Sequence, residues 1–204
     1  MLLLVRHGET EANRAGRYLG RADLPLTSHG WAQAASLAGL LPRPDVVVAS
    51  PLQRAIDTAA QLSPSAQVDD RWVELDYGPL DLQLVGDVPP NELARWRDDA
   101  DFAPPGVETL ASLSARVCDA CDDLVAKAED SVVIVVSHVS PIKAAIGWAL
   151  GVEPTVASRL FVEDASVSRI DVVGSRPLVR WFNRFGEEPS ETAKEPVRDL
   201  FPRR

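Results

Sequence analysis

Short apolar runs alternate with longer amphipathic segments over most of the chain. Continuous apolar stretches predict buried strands at Leu2–Val5, Asp45–Ser50 and Ser131–His138. Apolar residues three and four positions apart predict helices at 29–41, 51–62, 109–128 and 141–151. This alternation predicts an α/β sandwich with a mainly parallel sheet.

Turn and capping residues indicate where these helices begin and end. Ser28 is expected to cap the first helix, and Pro51 suits the first turn of the second. Gly151 is expected to close the last helix. Further β-type segments are predicted late in the chain, at Ser158–Val162, Ser166–Val173 and Leu178–Phe182.

Two segments lack this periodicity. Residues 77–106 are rich in Pro, Gly and Asp, with one predicted helix at Asn91–Asp99, which indicates a lid-like insertion over one end of the sheet. The last stretch, 185–204, is polar and is expected to be a mobile tail. We therefore predict a single domain over residues 1–184.

Composition narrows the classes of function. The net charge of −9 argues against non-specific binding to nucleic acid or to an anionic membrane. No apolar run approaches the roughly 18 residues of a membrane span, and the start lacks the basic region of a signal peptide, so we expect a cytoplasmic protein. Cys118 and Cys121 lie within a helical pattern, which favours two reduced thiols over a zinc or redox site. The five tryptophans are expected to be core or interface anchors, and the sequence allows a homodimer.

Three predicted strands lead into residues that can bind anions. The first is followed by Arg6 and His7, the second by Arg54 about one helical turn later, and the third ends in His138. In open α/β sheets, ligands bind at the carboxyl ends of the strands. If these strands are neighbours, two arginines and two of the three histidines meet in one crevice.

Such a crevice suits a phosphate ester. Arginines offer planar sets of N–H donors that match phosphate oxygens, and helix starts add backbone donors. One imidazole, kept neutral by neighbouring cations, can attack phosphorus, and the other, if protonated, can bind the equatorial oxygens. A leaving alkoxide needs a proton donor, for which Glu74, close to Asp76, is a candidate.

Several segments together resemble the histidine phosphatase superfamily, also called the phosphoglycerate mutase-like family. They follow the order of that family from residue 2 to about residue 150, and the combination is far more specific than R-H-G alone. The matching segments are "LLLVRHGETEAN", "LPLTSHGWAQA", "ASPLQRAIDTA", "VELDYG" and "VVSHVSPIKA". The resemblance implies a three-layer α/β/α sandwich around a mixed, mainly parallel sheet, which agrees with the α/β sandwich predicted above.

The resemblance also implies a role for each matched residue. His7 would be the nucleophile and would pass through a phosphohistidine. The phosphate pocket would consist of Arg6, Arg54, His138 and Asn13. Glu74, preferred to Asp76, would protonate the leaving oxygen and then deprotonate the attacking water. No metal or other cofactor would be needed, because the arginines supply positive charge.

Some positions depart from the family pattern and bear on the substrate. Val139 follows the second histidine where Gly is common, Lys143 stands where Arg is frequent, and Leu19 replaces a frequent Gln. The acid segment continues as "YGPLDLQLVGD" rather than with an aromatic residue, Glu and Gly. Substrate identity therefore stays open, whereas the catalytic group is complete.

Three functions compete. The first is a phosphoric monoester hydrolase acting on a small-molecule phosphate ester, such as a sugar phosphate, α-ribazole phosphate or a broad range of monoesters. The second is a cofactor-dependent phosphoglycerate mutase, and the third is a catalytically silent relative that binds a phosphorylated ligand or a protein. Between Asp76 and Thr109 the chain has eight acids and two bases, whereas a mutase handling bisphosphorylated acids would be expected to place basic residues there. We therefore predict a phosphatase.

Overall fold

A six-stranded sheet forms the centre of the protein, for which a computed structural model describes residues 1–184. The predicted tail, 185–204, lies outside the described residues. The strand order across the sheet is β3-β2-β4-β1-β5-β6. The strands are β1 (Leu2–Arg6), β2 (Val46–Ala49), β3 (Gln67–Val68), β4 (Val133–Ser137), β5 (Val167–Val173) and β6 (Arg176–Arg184).

Helices cover both faces of this sheet. They are α1 (Glu11–Arg14), α2 (Ser28–Leu40), α3 (Gln53–Ala60), α4 (Pro90–Asp98), α5 (Leu110–Asp130) and α6 (Val139–Leu150). Short 3₁₀ helices lie at Asp70–Trp72, Gly78–Leu80, Val85–Asp87 and Pro154–Arg159. Within residues 1–184, no helix is both long and apolar enough to cross a membrane.

The central strands are apolar because both of their faces are buried. Along β1, Leu2 and Leu4 pack with residues of α5 and α6, whereas Leu3 and Val5 pack with residues of α2 and α3. Side chains alternate between the two faces of a strand, so a continuous apolar run fills both cores. The three layers, with parallel β1, β2, β3 and β4 and antiparallel β5 and β6, confirm the predicted fold class.

Two helices start differently from the prediction, for local chemical reasons. Thr27, not Ser28, caps α2, because the Thr27 Oγ1 accepts a hydrogen bond from the Gly30 N–H at 3.0 Å. Pro51 lies outside α3, which begins at Gln53 after an extended Leu52. The prediction that Gly151 closes α6 is confirmed, since Gly151 adopts the left-handed conformation, φ 65°.

The late part of the chain contains one wrong prediction. Ser158–Val162 forms no strand, because Pro154 starts a 3₁₀ helix that extends through Arg159 and irregular chain follows. The other two late β segments are confirmed as β5 and β6, an antiparallel pair. The two-residue β3 and the four-residue α1 were not predicted, since neither is long enough to show a period.

The loop after β1 touches the start of α2 so closely that both contact points are glycines. A Cβ on Gly8 would lie 2.3 Å from the Gly30 carbonyl oxygen, and one on Gly30 would lie 2.1 Å from the Glu9 carbonyl oxygen. Neither carbonyl can withdraw without moving main chain. This contact holds the segment after β1 against the helix.

We expect Gly30→Ala to lower the free energy of unfolding by about 1–3 kcal/mol, the usual cost of overpacking. Gly39→Ala in the same helix is the matched control, because a Cβ there meets nothing within 4 Å. Since alanine is the better helix former, Gly39→Ala should raise the free energy of unfolding by about 0.5–1 kcal/mol. Urea unfolding of both variants measures the difference, and equal stabilities would contradict the contact.

Candidate active site

The carboxyl ends of β1, β4 and β2 lie side by side. This is the arrangement that a common crevice for the predicted arginines and histidines needs. β4 pairs in parallel with β1 on one side and with β2 on the other. Just beyond the strands, the His7 N–H donates to the Ser137 carbonyl at 3.0 Å and the Ser50 N–H donates to the Val136 carbonyl at 3.0 Å. The rings of His7 and His138 consequently lie with their centroids 5.0 Å apart.

His7 is held in one tautomer by its own backbone. The His7 Nδ1 lies 2.7 Å from the carbonyl oxygen of Gly8. A carbonyl only accepts hydrogen bonds, so Nδ1 carries the proton and Nε2 keeps its lone pair. The Arg54 Nε donates to that Nε2 at 3.3 Å. Nε2 is therefore the nitrogen that can attack an electrophile placed in the crevice.

Both histidines are kept uncharged by their surroundings. Burial is the main reason that the pKa of His7 lies well below its usual range, and the cations of Arg54 and Arg6 lower it further. Burial likewise lowers the pKa of His138 most strongly, with Arg54 and His7 adding to the effect. A neutral imidazole is a nucleophile, whereas a protonated one is not, so this environment keeps His7 reactive.

Arg54 is fully buried and is held by neutral groups. Its two terminal nitrogens donate to the carbonyls of Gly20 at 2.8 Å and Ala22 at 2.9 Å. Burial lowers the pKa of Arg54 to about 10, so the cation persists at neutral pH. Three of its five N–H donors are used in these contacts and in the His7 contact, which leaves two for a ligand.

Two further nitrogens in the crevice are buried without a partner among residues 1–184. Arg6 donates to the Val162 carbonyl at 2.6 Å and pairs with Asp164 at 2.6 Å, but its Nε has no partner. His138 contacts the Ser50 Oγ through Nε2 at 2.6 Å, whereas its Nδ1 has none. Buried polar atoms are normally satisfied, so the Arg6 Nε can donate to a ligand oxygen, as can the His138 Nδ1 in the tautomer in which Nε2 accepts from the Ser50 hydroxyl.

Glu74 reaches the start of α6, whereas Asp76 does not. The Glu74 Oε1 accepts hydrogen bonds from the N–H groups of Leu75 at 2.7 Å and Ser140 at 3.2 Å. Burial raises the pKa of the Glu74 carboxyl above its usual range, against the opposing effect of these donors and of Arg54. The Asp76 carboxylate instead accepts from the Gly78 N–H at 2.9 Å and shapes the following turn.

Arg116 on α5 holds the chain on which Glu74 is carried, and no sequence motif indicated it. Its guanidinium donates to the carbonyls of Arg71 at 2.6 Å, Val73 at 2.7 Å and Glu74 at 3.3 Å. Glu108 in turn accepts from the Arg116 Nε at 2.9 Å. Because Arg116 contacts backbone rather than a motif residue, its part in the site was not visible in the sequence.

Asn13 lies in the short helix α1. Its side-chain oxygen accepts hydrogen bonds from the Thr10 N–H at 3.1 Å and from the Thr10 hydroxyl at 2.7 Å. The oxygen is thus used to cap the helix, and the Nδ2 amino group is the donor that Asn13 can offer to a phosphate. The predicted phosphate contact of Asn13 stays a prediction.

The segment 77–106 leaves and rejoins the rest of the chain at one point. A Cβ on Gly78 would lie 2.0 Å from the Gly106 carbonyl oxygen, so the two ends of the segment touch. Within it Trp96 is buried, and its ring lies 6.0 Å from that of Tyr77 and 6.3 Å from that of Tyr18, centroid to centroid. The predicted role of the segment as a lid stays a prediction.

The cysteines lie where the helical pattern placed them. Cys118 is half-buried, Cys121 is buried, and both are free thiols on α5. Burial raises the pKa of Cys121 well above its usual range, which makes it unreactive. Among residues 1–184, no group of three or more His, Cys, Asp and Glu side chains is arranged to hold a metal ion.

Residues 2–184 match the histidine phosphatase superfamily (branch 1). The chain belongs to this superfamily. The match covers nearly all of the described residues and includes each of the segments that carry the resemblance stated above. The predicted family is thereby confirmed.

Relatives within the histidine phosphatase superfamily carry more than one name. The bifunctional protein Rv2228c of Mycobacterium tuberculosis is 39% identical over 82% of this chain, which spans only 49% of that protein's length. Phosphoserine phosphatase 1 of Hydrogenobacter thermophilus is 33% identical over 89% of this chain and 91% of its own. A probable phosphoglycerate mutase, GpmB, of Serratia proteamaculans is 32% identical over 82% and 83%.

Solved structures of the superfamily share the fold. Phosphoserine phosphatase of Entamoeba histolytica, in complex with phosphoserine, matches with a TM-score of 0.82 and 26% identity over 89% of this chain and 95% of that chain. Mycobacterial glucosyl-3-phosphoglycerate phosphatase Rv2419c with VO3 matches with a TM-score of 0.81 and 28% identity over 89% and 98%. The relatives thus support a phosphatase, although a mutase name also occurs among them.

We expect the stability of this protein to fall as pH drops below about 6.5. The buried histidines are neutral when folded, since their pKa is lowered, but take up protons in the unfolded chain. Each then reduces the free energy of unfolding by up to about 1.4 kcal/mol per pH unit. In denaturant melts between about pH 7 and about pH 5.5, the free energy of unfolding should change less steeply with pH in His138→Gln than in the wild type. The same dependence of the free energy of unfolding on pH in His138→Gln as in the wild type would contradict the assignment.

Proposed function

We propose that this protein is a metal-independent phosphatase that hydrolyses small-molecule phosphate monoesters through a phosphohistidine on His7. One observation carries the proposal: the unprotonated Nε2 of His7 lies 3.3 Å from the Arg54 Nε, in a site where buried Arg6 and His138 nitrogens lack partners among residues 1–184. A phosphoryl group placed there would supply the missing acceptor oxygens. It would also bring negative charge to a crevice whose two arginines are buried.

In the first step, the His7 Nε2 attacks the phosphorus atom and forms an N–P bond. The bond between phosphorus and the ester oxygen breaks, and the leaving oxygen takes a proton from Glu74. Burial favours the protonated form of Glu74 before reaction, because it raises the pKa of that carboxyl. Arg6, Arg54 and His138 hold the equatorial oxygens, where charge develops, so the proposal requires no metal ion.

In the second step, the Glu74 carboxylate accepts a proton from a water molecule. The water oxygen forms a bond to phosphorus, the N–P bond breaks, and inorganic phosphate leaves. His7 returns to its neutral state and Glu74 is protonated again. The same carboxyl thus serves as acid and then as base, and it is already fixed in place by the N–H groups of Leu75 and Ser140.

The charge of the segment 77–106 favours hydrolysis over mutase activity. The acids of this segment outnumber its two bases, Arg95 and Arg97, and the flanking sequence is acidic as well. Arg95 packs over the ring of Phe102 at 3.8 Å from the ring centroid. A bisphosphorylated acid would therefore meet mainly negative side chains here. Phosphoglycerate mutase activity remains the second candidate function, because the relative GpmB is named a probable phosphoglycerate mutase.

Phosphate release and 3-phosphoglycerate isomerisation, measured side by side on the full chain, test this proposal. We expect release to exceed isomerisation, with a ³²P label on His7 that is stable to alkali and labile to acid. His7→Ala should remove both the label and the activity, whereas His29→Ala, at an exposed position, should keep both. Isomerisation with little hydrolysis would replace the phosphatase by the mutase. A protein that stays unlabelled and releases no phosphate from any ester, with or without His7, would indicate a catalytically silent relative.

Glu74→Gln should slow hydrolysis of alkyl phosphates by about 10²–10⁴-fold, the usual contribution of a general acid. The loss should be smaller for p-nitrophenyl phosphate, because its leaving oxygen needs no proton. Asp76→Asn is the matched control, since the Asp76 carboxylate accepts from the Gly78 N–H in a turn and not from the start of α6. Single-turnover rates of phosphoryl transfer from both esters to His7 decide the point, because this step precedes the attack of water in which Glu74 acts as a base. An equal loss with the two leaving groups would remove Glu74 as the proton donor.

The same acidic segment predicts a substrate with one phosphate. Lys143, half-buried and one helical turn beyond Ser140, adds a single cation on α6. We therefore expect kcat/KM values for a panel of esters, including sugar phosphates, α-ribazole phosphate and phosphoserine, to be at least about tenfold above those for bisphosphorylated esters, because like charges repel. A preference for multiply phosphorylated substrates would show that this charge does not select the substrate.

A further inference from the structure

The carboxylate of Asp81 binds two backbone N–H groups of a distant loop. Its Oδ1 accepts from the Gly20 N–H at 2.8 Å, and its Oδ2 accepts from the Ala22 N–H at 2.8 Å. Hydrogen bonds to a charged acceptor are about twice as strong as those between neutral groups. Asp81 therefore ties the segment 77–106 to the loop that precedes α2.

The same two residues hold Arg54 with their other backbone groups. The Arg54 guanidinium donates to the Gly20 carbonyl at 2.8 Å and to the Ala22 carbonyl at 2.9 Å, while its Nε lies 3.3 Å from the His7 Nε2. Three steps thus connect Asp81 with the reactive nitrogen: carboxylate to backbone amides, backbone carbonyls to guanidinium, and guanidinium to imidazole. Every step is a direct hydrogen bond.

Arg54 depends on those carbonyls because nothing stronger holds it. Among residues 1–184, no carboxylate lies within ion-pair distance of its guanidinium, although the side chain is fully buried. The loop itself has no regular secondary structure between Gly20 and Leu26. Any shift of the loop would therefore move the carbonyls and, with them, the guanidinium.

The rest of the loop is also fastened to residues that follow Asp81. The Tyr18 N–H donates to the Gln83 carbonyl at 2.9 Å, and the Leu82 N–H donates to the Tyr18 carbonyl at 2.8 Å. Leu82 adopts a positive φ of 67°, which a leucine seldom takes. The chain keeps this unfavourable conformation directly after Asp81, where the carboxylate must face the loop.

Electrostatics act in the same direction as the hydrogen bonds. Burial lowers the pKa of Arg54, and the negative charge of Asp81 is one of the effects that oppose it. Asp81 therefore favours the cationic form of Arg54 as well as its position, without occupying any of its N–H donors.

We propose that Asp81 is a positioning residue for the phosphate pocket, which orients Arg54 through the backbone of Gly20 and Ala22. Its role rests on the proposed function of Arg54 as a ligand of the phosphoryl group. The segment 77–106 then contributes to the construction of the pocket as well as to its surroundings.

Binding of inorganic phosphate to the full chain, measured by calorimetry, tests this role without requiring turnover. We expect Asp81→Ala to weaken phosphate binding by about 10- to 100-fold, since a displaced donor loses its alignment. Asp87→Asn is the matched control, because Asp87 is an exposed acid in the same segment and its loss removes the same charge. It should change the affinity by less than about twofold. Equal affinities in Asp81→Ala and the wild type would overturn the proposal.

Two further comparisons separate positioning from a general loss of structure. Asp81→Glu, which keeps the carboxylate, should recover part of the affinity that Asp81→Ala loses, and a melting curve shows whether each variant is folded. If Asp81→Ala does not fold, Asp81→Asn, which keeps the side-chain volume, replaces it in the same comparison. A variant that melts at a lower temperature but binds phosphate like the wild type would reduce Asp81 to a structural residue.

A double-mutant cycle shows whether Asp81 acts through Arg54. Arg54→Lys keeps the positive charge but cannot donate to both carbonyls in the same way. If Asp81 acts through the guanidinium, adding Asp81→Ala to Arg54→Lys should cost less than half the fold-change that it costs in the wild type. Full multiplication of the two effects would overturn the proposal.

Failure of the proposed function would look different. A wild-type protein that binds phosphate but leaves phosphate esters intact would refute the phosphatase, and the phosphate affinities would still decide the role of Asp81. Conversely, active hydrolysis with a phosphorylated His7 and an unaffected Asp81→Ala variant would refute only the positioning role.

Discussion

The hydrogen bond between the Nδ1 of His7 and the carbonyl of Gly8 decides which nitrogen of the ring is available to react. A carbonyl cannot donate, so the proton stays on Nδ1 and the lone pair stays on Nε2. The Arg54 Nε–H donates to that lone pair at 3.3 Å. Without the bond to the Gly8 carbonyl the ring could rotate or change tautomer, and the neighbouring arginines would face a proton instead of a nucleophile.

The crevice combines two conditions that oppose each other energetically. Burying Arg6 and Arg54 is unfavourable, and their positive charge further disfavours a proton on His7 or His138. The backbone carbonyls that hold both guanidinium groups do not cancel their charge, and Asp164 pairs with Arg6 alone. A phosphate group supplies the charge and the acceptors together. The unfavourable burial of these two cations is thus an argument for an anionic ligand in the proposed function.

Residues far from the motifs keep this arrangement in place. Arg116 holds the backbone on either side of Val73, and Asp81 holds the loop that carries the two carbonyls facing Arg54. Both act on main-chain groups. A second set of interactions, contributed by α5 and by the segment 77–106, therefore surrounds the catalytic candidates. Tyr77 of that segment also lies beside the ring of Tyr18.

Much of the fold could be predicted from the order of residues, because period and burial are local properties. The apolar run ending at Arg6 determines a strand buried on both faces, and Gly151 determines the end of α6. The wrong prediction at Ser158–Val162 arose because β-type residues alone do not show whether a neighbouring strand is present to pair with. Thr27 displaced Ser28 as a cap for a similar reason, since the two hydroxyls are equivalent in sequence and only the path of the chain distinguishes them.

The residues proposed to react could also be named from the sequence, since His7, Glu74 and the arginines have distinctive side chains. Their convergence and their support were decided only by the tertiary structure. Asp81 and Gly20 are 61 residues apart, and Arg116 and Val73 are 43 residues apart, yet each pair is joined by a hydrogen bond. The partner in both cases is a backbone group, which almost every residue carries alike. A sequence can therefore show which side chains are available, whereas only the folded chain shows which amide or carbonyl they meet.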